Sequence, residues 1–235
     1  MKEAVLVCAV FVGAVTPANA GPDWVEGLDA GGTPGSATNI IGMGPLFTIS
    51  GSLSQAFGPG VADFEDMFII RITDALRFSA SSDDPSTIFD VQMFLFRFDT
   101  ADPMMDGLGL LANRDTAMGN DVSMLGPIST DGTIVITEGI YYLAISGGAG
   151  EGAADPGRYP IDGGSVPVFA LADLLGTPFD ILSPDPAAGA IAAWAGEGGV
   201  GSYVIHLEGV SFVPAPGAAG VLALGLLAIR RRRRV

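Results

Sequence analysis

The sequence predicts an all-β fold, an antiparallel β-sandwich. Short segments with a period of two recur along the middle of the chain, joined by links rich in Gly, Asp and Pro. The 34 glycines and 16 prolines among 235 residues suit many short strands and tight turns better than long helices.

Residues 21–45 are small and polar with scattered acids, and read as a leading arm or an edge strand. In Leu46 to Ser54, Phe47, Ile49 and Leu53 alternate with Thr48, Ser50, Ser52 and Ser54, so one face is apolar and the other hydroxylated. Met67 to Thr73 places Phe68, Ile70 and Ile72 opposite Arg71, and Leu76, Phe78 and Ala80 alternate with Arg77, Ser79 and Ser81. Val91 to Phe98 is apolar on both sides, which suits a central strand. Thr133–Thr137 and Ile140–Ile145 are expected to form a hairpin across Glu138-Gly139. Tyr203, Ile205 and Leu207 mark a last alternating strand, with His206 facing outward. Between them, residues 147–201 break the rhythm and read as an excursion covering one end of the sandwich.

The ends differ in kind from the middle. Lys2, the apolar run Ala4 to Val15, and Ala18-Asn19-Ala20 have the order of a secretory signal, a helix spanning residues 1–20 with cleavage after the small residues Ala18 and Ala20. The only cysteine, Cys8, lies inside that run, so residues 21–211 are expected to fold without disulfides. With both ends set aside, the middle carries 25 acids against 5 arginines and no lysine, a net charge of −20. Such a surface repels nucleic acid and attracts divalent cations.

Asp63-x-x-Asp66-x-Phe68, Asp90-Val91-x-x-Phe94-Leu95-Phe96, Leu110-Leu111-Ala112-Asn113-x-Asp115 and Gly139-x-Tyr141-Tyr142-Leu143-x-Ile145 follow one another in order. In this, residues 46–147 resemble the bacterial pre-peptidase C-terminal domain, which implies a jelly-roll-like sandwich acting as an accessory module rather than a catalyst. Asp99 to Leu108 and the excursion are departures from that pattern.

Residues 212–235 resemble a PEP-CTERM sorting signal. Val213-Pro214-Ala215-Pro216 precedes thirteen apolar or glycine residues, Gly217 to Ile229, and then Arg230, Arg231, Arg232, Arg233 and Arg234. Ala215 stands where that class has glutamate. The resemblance implies processing by an exosortase-type enzyme after passage through the export machinery. The apolar stretch, eighteen residues counted from Phe212, approaches the roughly 20 that span a bilayer as a helix. Its arginines would stay on the cytoplasmic side, with the β-domain outside.

Chemistry-bearing motifs are sparse. His206 is the only histidine, and there is no G-x-S-x-G elbow. One histidine without cysteine disfavours zinc. Calcium suits the acids better: Asp99, Asp102 and Asp106 share a polar loop, followed by Asn113, Asp115, Asn120 and Asp121. A second acidic group, Asp63, Glu65 and Asp66, precedes a strand. The expected role is a non-catalytic envelope or matrix protein, in adhesion or exopolysaccharide contact. A carbohydrate-binding module with Trp24, Trp194 or Tyr159 as stacking platform is the alternative. An extracellular hydrolase built on a carboxylate pair is a third.

Overall fold

A computed structural model of the chain describes residues 24–55, 62–116, 121–149, 156–176 and 180–215. The fold is all-β. In chain order it contains β1 (Trp24–Val25), β2 (Thr38–Asn39), β3 (Thr48–Gln55), β4 (Ala62–Asp63) and β5 (Glu65–Ile72). A 3₁₀ turn at Ala75–Arg77 leads to β6 (Ser79–Ser81), β7 (Val91–Arg97), β8 (Gly109–Asn113), β9 (Met124–Leu125) and β10 (Gly139–Gly147). Then come β11 (Tyr159–Asp162), the single-turn helix α1 (Leu171–Leu174), β12 (Ile191–Ala195), β13 (Gly201–Glu208) and β14 (Val210–Ser211).

Two sheets face each other. The front sheet runs β1-β3-β13-β6-β9, with β4 added to β3; the back sheet runs β14-β5-β10-β7-β8, with β2 added to β5. Ile49, Leu53, Ala80, Tyr203, Ile205 and Leu207 from the front meet Phe68, Ile70, Ile72, Met93, Leu95, Leu143 and Ile145 from the back in one buried core. Each residue is in the phase that a period of two demands. The chain crosses from front to back between β13 and β14 at Gly209. Its φ of +69° and its closeness to the Asp74 carbonyl leave no place for a side chain.

The pairing is mixed rather than purely antiparallel. The arm lies parallel at two edges, β1 against β3 (Trp24 opposite Ile49) and β2 against β5 (Thr38 opposite Phe68). An arm that enters at a sheet edge joins by adding a short strand alongside, and no hairpin forces its direction. All the longer pairings, β5·β10, β7·β10, β3·β13 and β7·β8, are antiparallel.

Several local expectations change. Thr133–Thr137 makes no hairpin with β10, because β10 is taken on both sides by β5 and β7. That segment instead closes on Ile128 through one bridge at Val135, and Asp131 holds the turn by accepting from Ser129 Oγ, Thr133 N and Ser183 Oγ. Leu76 is fully in the 3₁₀ turn and exposed, and Phe47 is exposed just ahead of β3.

The excursion covers a face, not an end. β7 alternates between two cores: Met93 and Leu95 point into the sandwich, while Phe94 and Phe96 point outward under Val168, Phe169, Leu174, Ile191 and Trp194. Phe94 packs edge-on against Trp194 at 5.4 Å and lies 5.7 Å from Phe169. The two-sided apolar pattern of β7 therefore records a second layer on the outer face of the back sheet. Gln92 and Ser146 fix the start of that layer through the carbonyls of Pro156 and Arg158.

Among the described residues no helix is long and apolar enough to cross a membrane. The signal at residues 1–20 and the apolar stretch at 217–229 lie outside the described residues.

Candidate functional site

The calcium ligands expected from the sequence are not brought together. Asp99, Asp102 and Asp106 occupy the link between β7 and β8, where their carboxylates hold the loop's own backbone. Asp106 Oδ1 accepts from Asp99 N at 2.8 Å, Asp99 Oδ1 accepts from Ala101 N and Asp102 N, and Asp102 Oδ1 accepts from Met104 N. Tyr142 donates to the other Asp106 oxygen at 3.2 Å. Asp115 sits beside Arg114, which also pairs with buried Asp90 at 3.6 Å. Asn113 is a buried cross-link, donating to the carbonyls of Asp115 and Asp180 and accepting from Met124 N. Asp121 is exposed and meets Val91 through its backbone, and Asn120 lies outside the described residues. The recess beside Asn113, Arg114 and Asp115 encloses about 30 Å³, the scale of a water or two.

Among the described residues, three carboxylates converge at one place only. Glu26, Asp29 and Asp66 each bring an oxygen within 4.8 Å of the others. The site lies where the arm bridges the two sheets. Glu26 follows β1 and is held on β3 by its own amide on Ser50 O and by Oε2, which accepts from Ser52 N at 3.1 Å. Oε1 accepts from Ala30 N at 2.9 Å, closing the turn that carries Asp29. Asp29 Oδ1 in turn accepts from Gly31 N at 2.8 Å, and Gly31 O receives Met67 N from β5. Every oriented carboxylate here is thus fixed by a backbone donor.

Asp66 comes from the other side. It lies in the same phase of β5 as Phe68, Ile70 and Ile72, so its carboxylate points into the sandwich, and it is fully buried. Tyr203 of β13 donates to Oδ2 at 2.6 Å. Among the described residues no donor reaches Oδ1, an arrangement that costs free energy in a buried group. Gly51 lies beneath: a Cβ there would strike Tyr203 Oη and Glu26 Oε2.

The electrostatics are uniformly unfavourable to charge. Burial, then the carboxylates of Glu26 and Asp63, push Asp66 up to about 8, against a lowering by the Tyr203 hydrogen bond. Asp63, at the end of β4, is raised to about 7 by burial and by Asp29, Glu26 and Glu65. Arg158 of the excursion pairs with Glu65 at 2.8 and 3.1 Å.

The acids of β4 and β5 were visible in the sequence as a group. Glu26 and Asp29 were not assigned to it, because only the parallel pairing of β1 with β3 brings the arm beside β5. The one available signal was Asp66 itself, a charge in the apolar phase of an alternating strand.

The remaining residues fall as follows. His206 is exposed on β13, with Nε2 3.0 Å from Asp84 Oδ2. Trp194 is buried and its indole donates to Gly32 O. Trp24 packs edge-on to Phe68 at 5.3 Å, and Tyr159 packs on the second core. Val213 is buried, donating to Ile40 O and accepting from Gly42 N, while Pro214 and Ala215 are exposed. Ala18, Ala20, Pro216 and Arg230 to Arg234 lie outside the described residues. Comparison of the chain with family models, with curated proteins and with solved structures gives no match.

Proposed function

We propose that the chain is an exported, non-catalytic protein of the cell envelope or extracellular matrix. In this reading it is delivered by its N-terminal signal, sorted through its C-terminal PEP-CTERM-like tail, and active in surface adhesion or exopolysaccharide association. The jelly-roll-like accessory domain suggested by the motif order belongs to the same reading. The observation that best supports it is the exit of the chain. Phe212 and Val213 are held against Gly44, Ile40 and Gly42 by backbone bonds, and the next two residues, Pro214 and Ala215, are exposed. An exposed Pro214-Ala215 directly after the last residues bonded into the sandwich is compatible with a motif reached by a processing enzyme.

The carbohydrate-module alternative loses its stated platform, since Trp194 and Trp24 are engaged in the cores and Tyr159 packs on the second. For the hydrolase alternative, the one imidazole pairs with Asp84 on the exposed face of β13.

Mass spectrometry of the C-terminus in exported material tests the proposal. Loss of Arg230 to Arg234 in cells with an exosortase, and retention without it, is the expected result. Intact arginines in both would make the tail a plain anchor.

A further inference from the structure

We infer that Glu26, Asp29 and Asp66 form a binding site for a hard divalent cation of calcium's class, and that the ion fastens the N-terminal arm across the two sheets. Three observations carry it together. The carboxylate oxygens lie within 4.8 Å of one another, a spacing that a single ion with ligands at about 2.3–2.6 Å can span. Asp66 is wholly buried, and among the described residues no N–H or O–H donates to its Oδ1, which leaves that oxygen open to a cation beside the two arm carboxylates. Finally, Ala30 N, Ser52 N and Gly31 N hold Glu26 and Asp29 in place, and Tyr203 holds the second Asp66 oxygen. These are the outer contacts that orient metal-binding carboxylates.

The chemistry selects the ion. All side-chain ligands are carboxylate oxygens, with neither imidazole nor thiolate, which disfavours zinc and copper. The ligands come from an arm, a turn and a strand rather than from one stiff element. Such a set accommodates the adaptable shell of calcium more readily than the strict octahedron of magnesium. Asp63, close enough to interact electrostatically with Glu26 and Asp29, adds a fourth carboxyl group to the neighbourhood.

The consequence is structural. Glu26 and Asp29 belong to the arm, Asp66 to the back sheet, and Glu26 also grips β3 of the front sheet. One ion therefore joins three separate parts of a chain that has no disulfide in its β-domain.

The test uses the full chain in detergent, stripped with chelator, then titrated with calcium chloride by calorimetry at pH 8 and followed by thermal melting. Saturation at one ion per chain is expected. At a hundredfold excess over Kd, Tm should rise by about 5–10 °C. Asp29→Asn, an exposed substitution that leaves the core intact, should weaken binding at least about tenfold. Asp66→Asn should abolish the calcium-dependent rise while raising the Tm of the stripped protein at pH 8, because it removes the buried charge. No heat and no Tm shift in the unaltered chain at pH 8 would overturn the proposal. So would full calcium response in both Asp29→Asn and Asp66→Asn.

Discussion

Tyr203 Oη lies 2.6 Å from Asp66 Oδ2, and this one hydrogen bond links β13 of the front sheet to β5 of the back sheet inside the core. Among the described residues it is the only hydrogen bond donated to the Asp66 carboxylate. Tyr203 is itself almost wholly buried, and its hydroxyl is pushed well upward by burial and by the Asp66 charge, so it acts solely as a donor. Tyr203→Phe therefore leaves both Asp66 oxygens without a donor. In chelator it should cost about 1–3 kcal/mol in urea unfolding. The loss should be greater at pH 9 than at pH 5, because the hydrogen bond stabilises the ionised form of Asp66. An equal loss at both would place the effect in packing alone.

The same raised carboxylates set the pH response of the metal-free protein. Asp63 near 7 and Asp66 near 8 hold protons in the fold that the unfolded chain, at its ordinary value near 3.8, has released. Where the folded state binds more protons, stability falls as pH rises. Stability in chelator should thus decline from about pH 4 to pH 8 and level off above the folded value of Asp66. Each such proton is worth at most about 1.4 kcal/mol per pH unit, less for half-exposed Asp63. Thermal melts at pH 5 and pH 8 check the sign, and the Asp63→Asn, Asp66→Asn double variant should flatten the slope.

The excursion should behave as part of the structure rather than as a binding loop. Trp194 fills the second core against Phe94 and donates to Gly32 O. Trp194→Ala is expected to cost about 3–5 kcal/mol, read by chemical denaturation. Any glycan affinity lost in that variant must therefore be compared with Trp194→Phe, which keeps most of the apolar contact. Loss in both, with the fold intact, would favour a carbohydrate site there.

Legibility differed from one element to the next for physical reasons. The strands whose one face is solvated, β13 above all, announced themselves by alternation: Tyr203, Ile205 and Leu207 inward, His206 outward. β7 was equally visible as a strand, but its unbroken apolar run does not say what lies on its second face. The layer over Phe94 and Phe96 is built from residues far along the chain. Thr133–Thr137 and β10 looked like a hairpin because local pattern cannot weigh the longer pairings that β10 makes with β5 and β7. The candidate site was least legible of all. Its ligands come from an arm with two-residue strands and from one inward aspartate, and no spacing rule relates them. The loop acids Asp99, Asp102 and Asp106 make Asx-type bonds to the local backbone, and such bonds produce the same acid-rich pattern as a cation loop.

Gly209 is a second point at which the two sheets depend on one residue. With φ at +69° and the Asp74 carbonyl against it, it also accepts from Thr73 N and Asp74 N. Gly209→Ala should destabilise by more than about 1 kcal/mol, measured by denaturant midpoint. An unchanged midpoint would mean that the β13–β14 crossing can relax.

The boundary between fold and tail gives a final expectation. Phe212 packs on the main core and Val213 is buried, bonded to both sides of Ile40–Gly42. Both residues are therefore committed to the sandwich, and in the proposed sorting reading any membrane-entering stretch would begin beyond Ala215. Removing them would uncover Ile40 and strip β2's neighbourhood of its backbone partners. Processing should accordingly leave Val213 on the exported product, with the new C-terminus at Pro214 or later, as read by mass spectrometry. Val213→Asp, which buries a carboxylate at that seam, should cost about 1–3 kcal/mol in urea unfolding. A product ending before Val213 with unchanged stability would show that the last two residues contribute nothing to the sandwich.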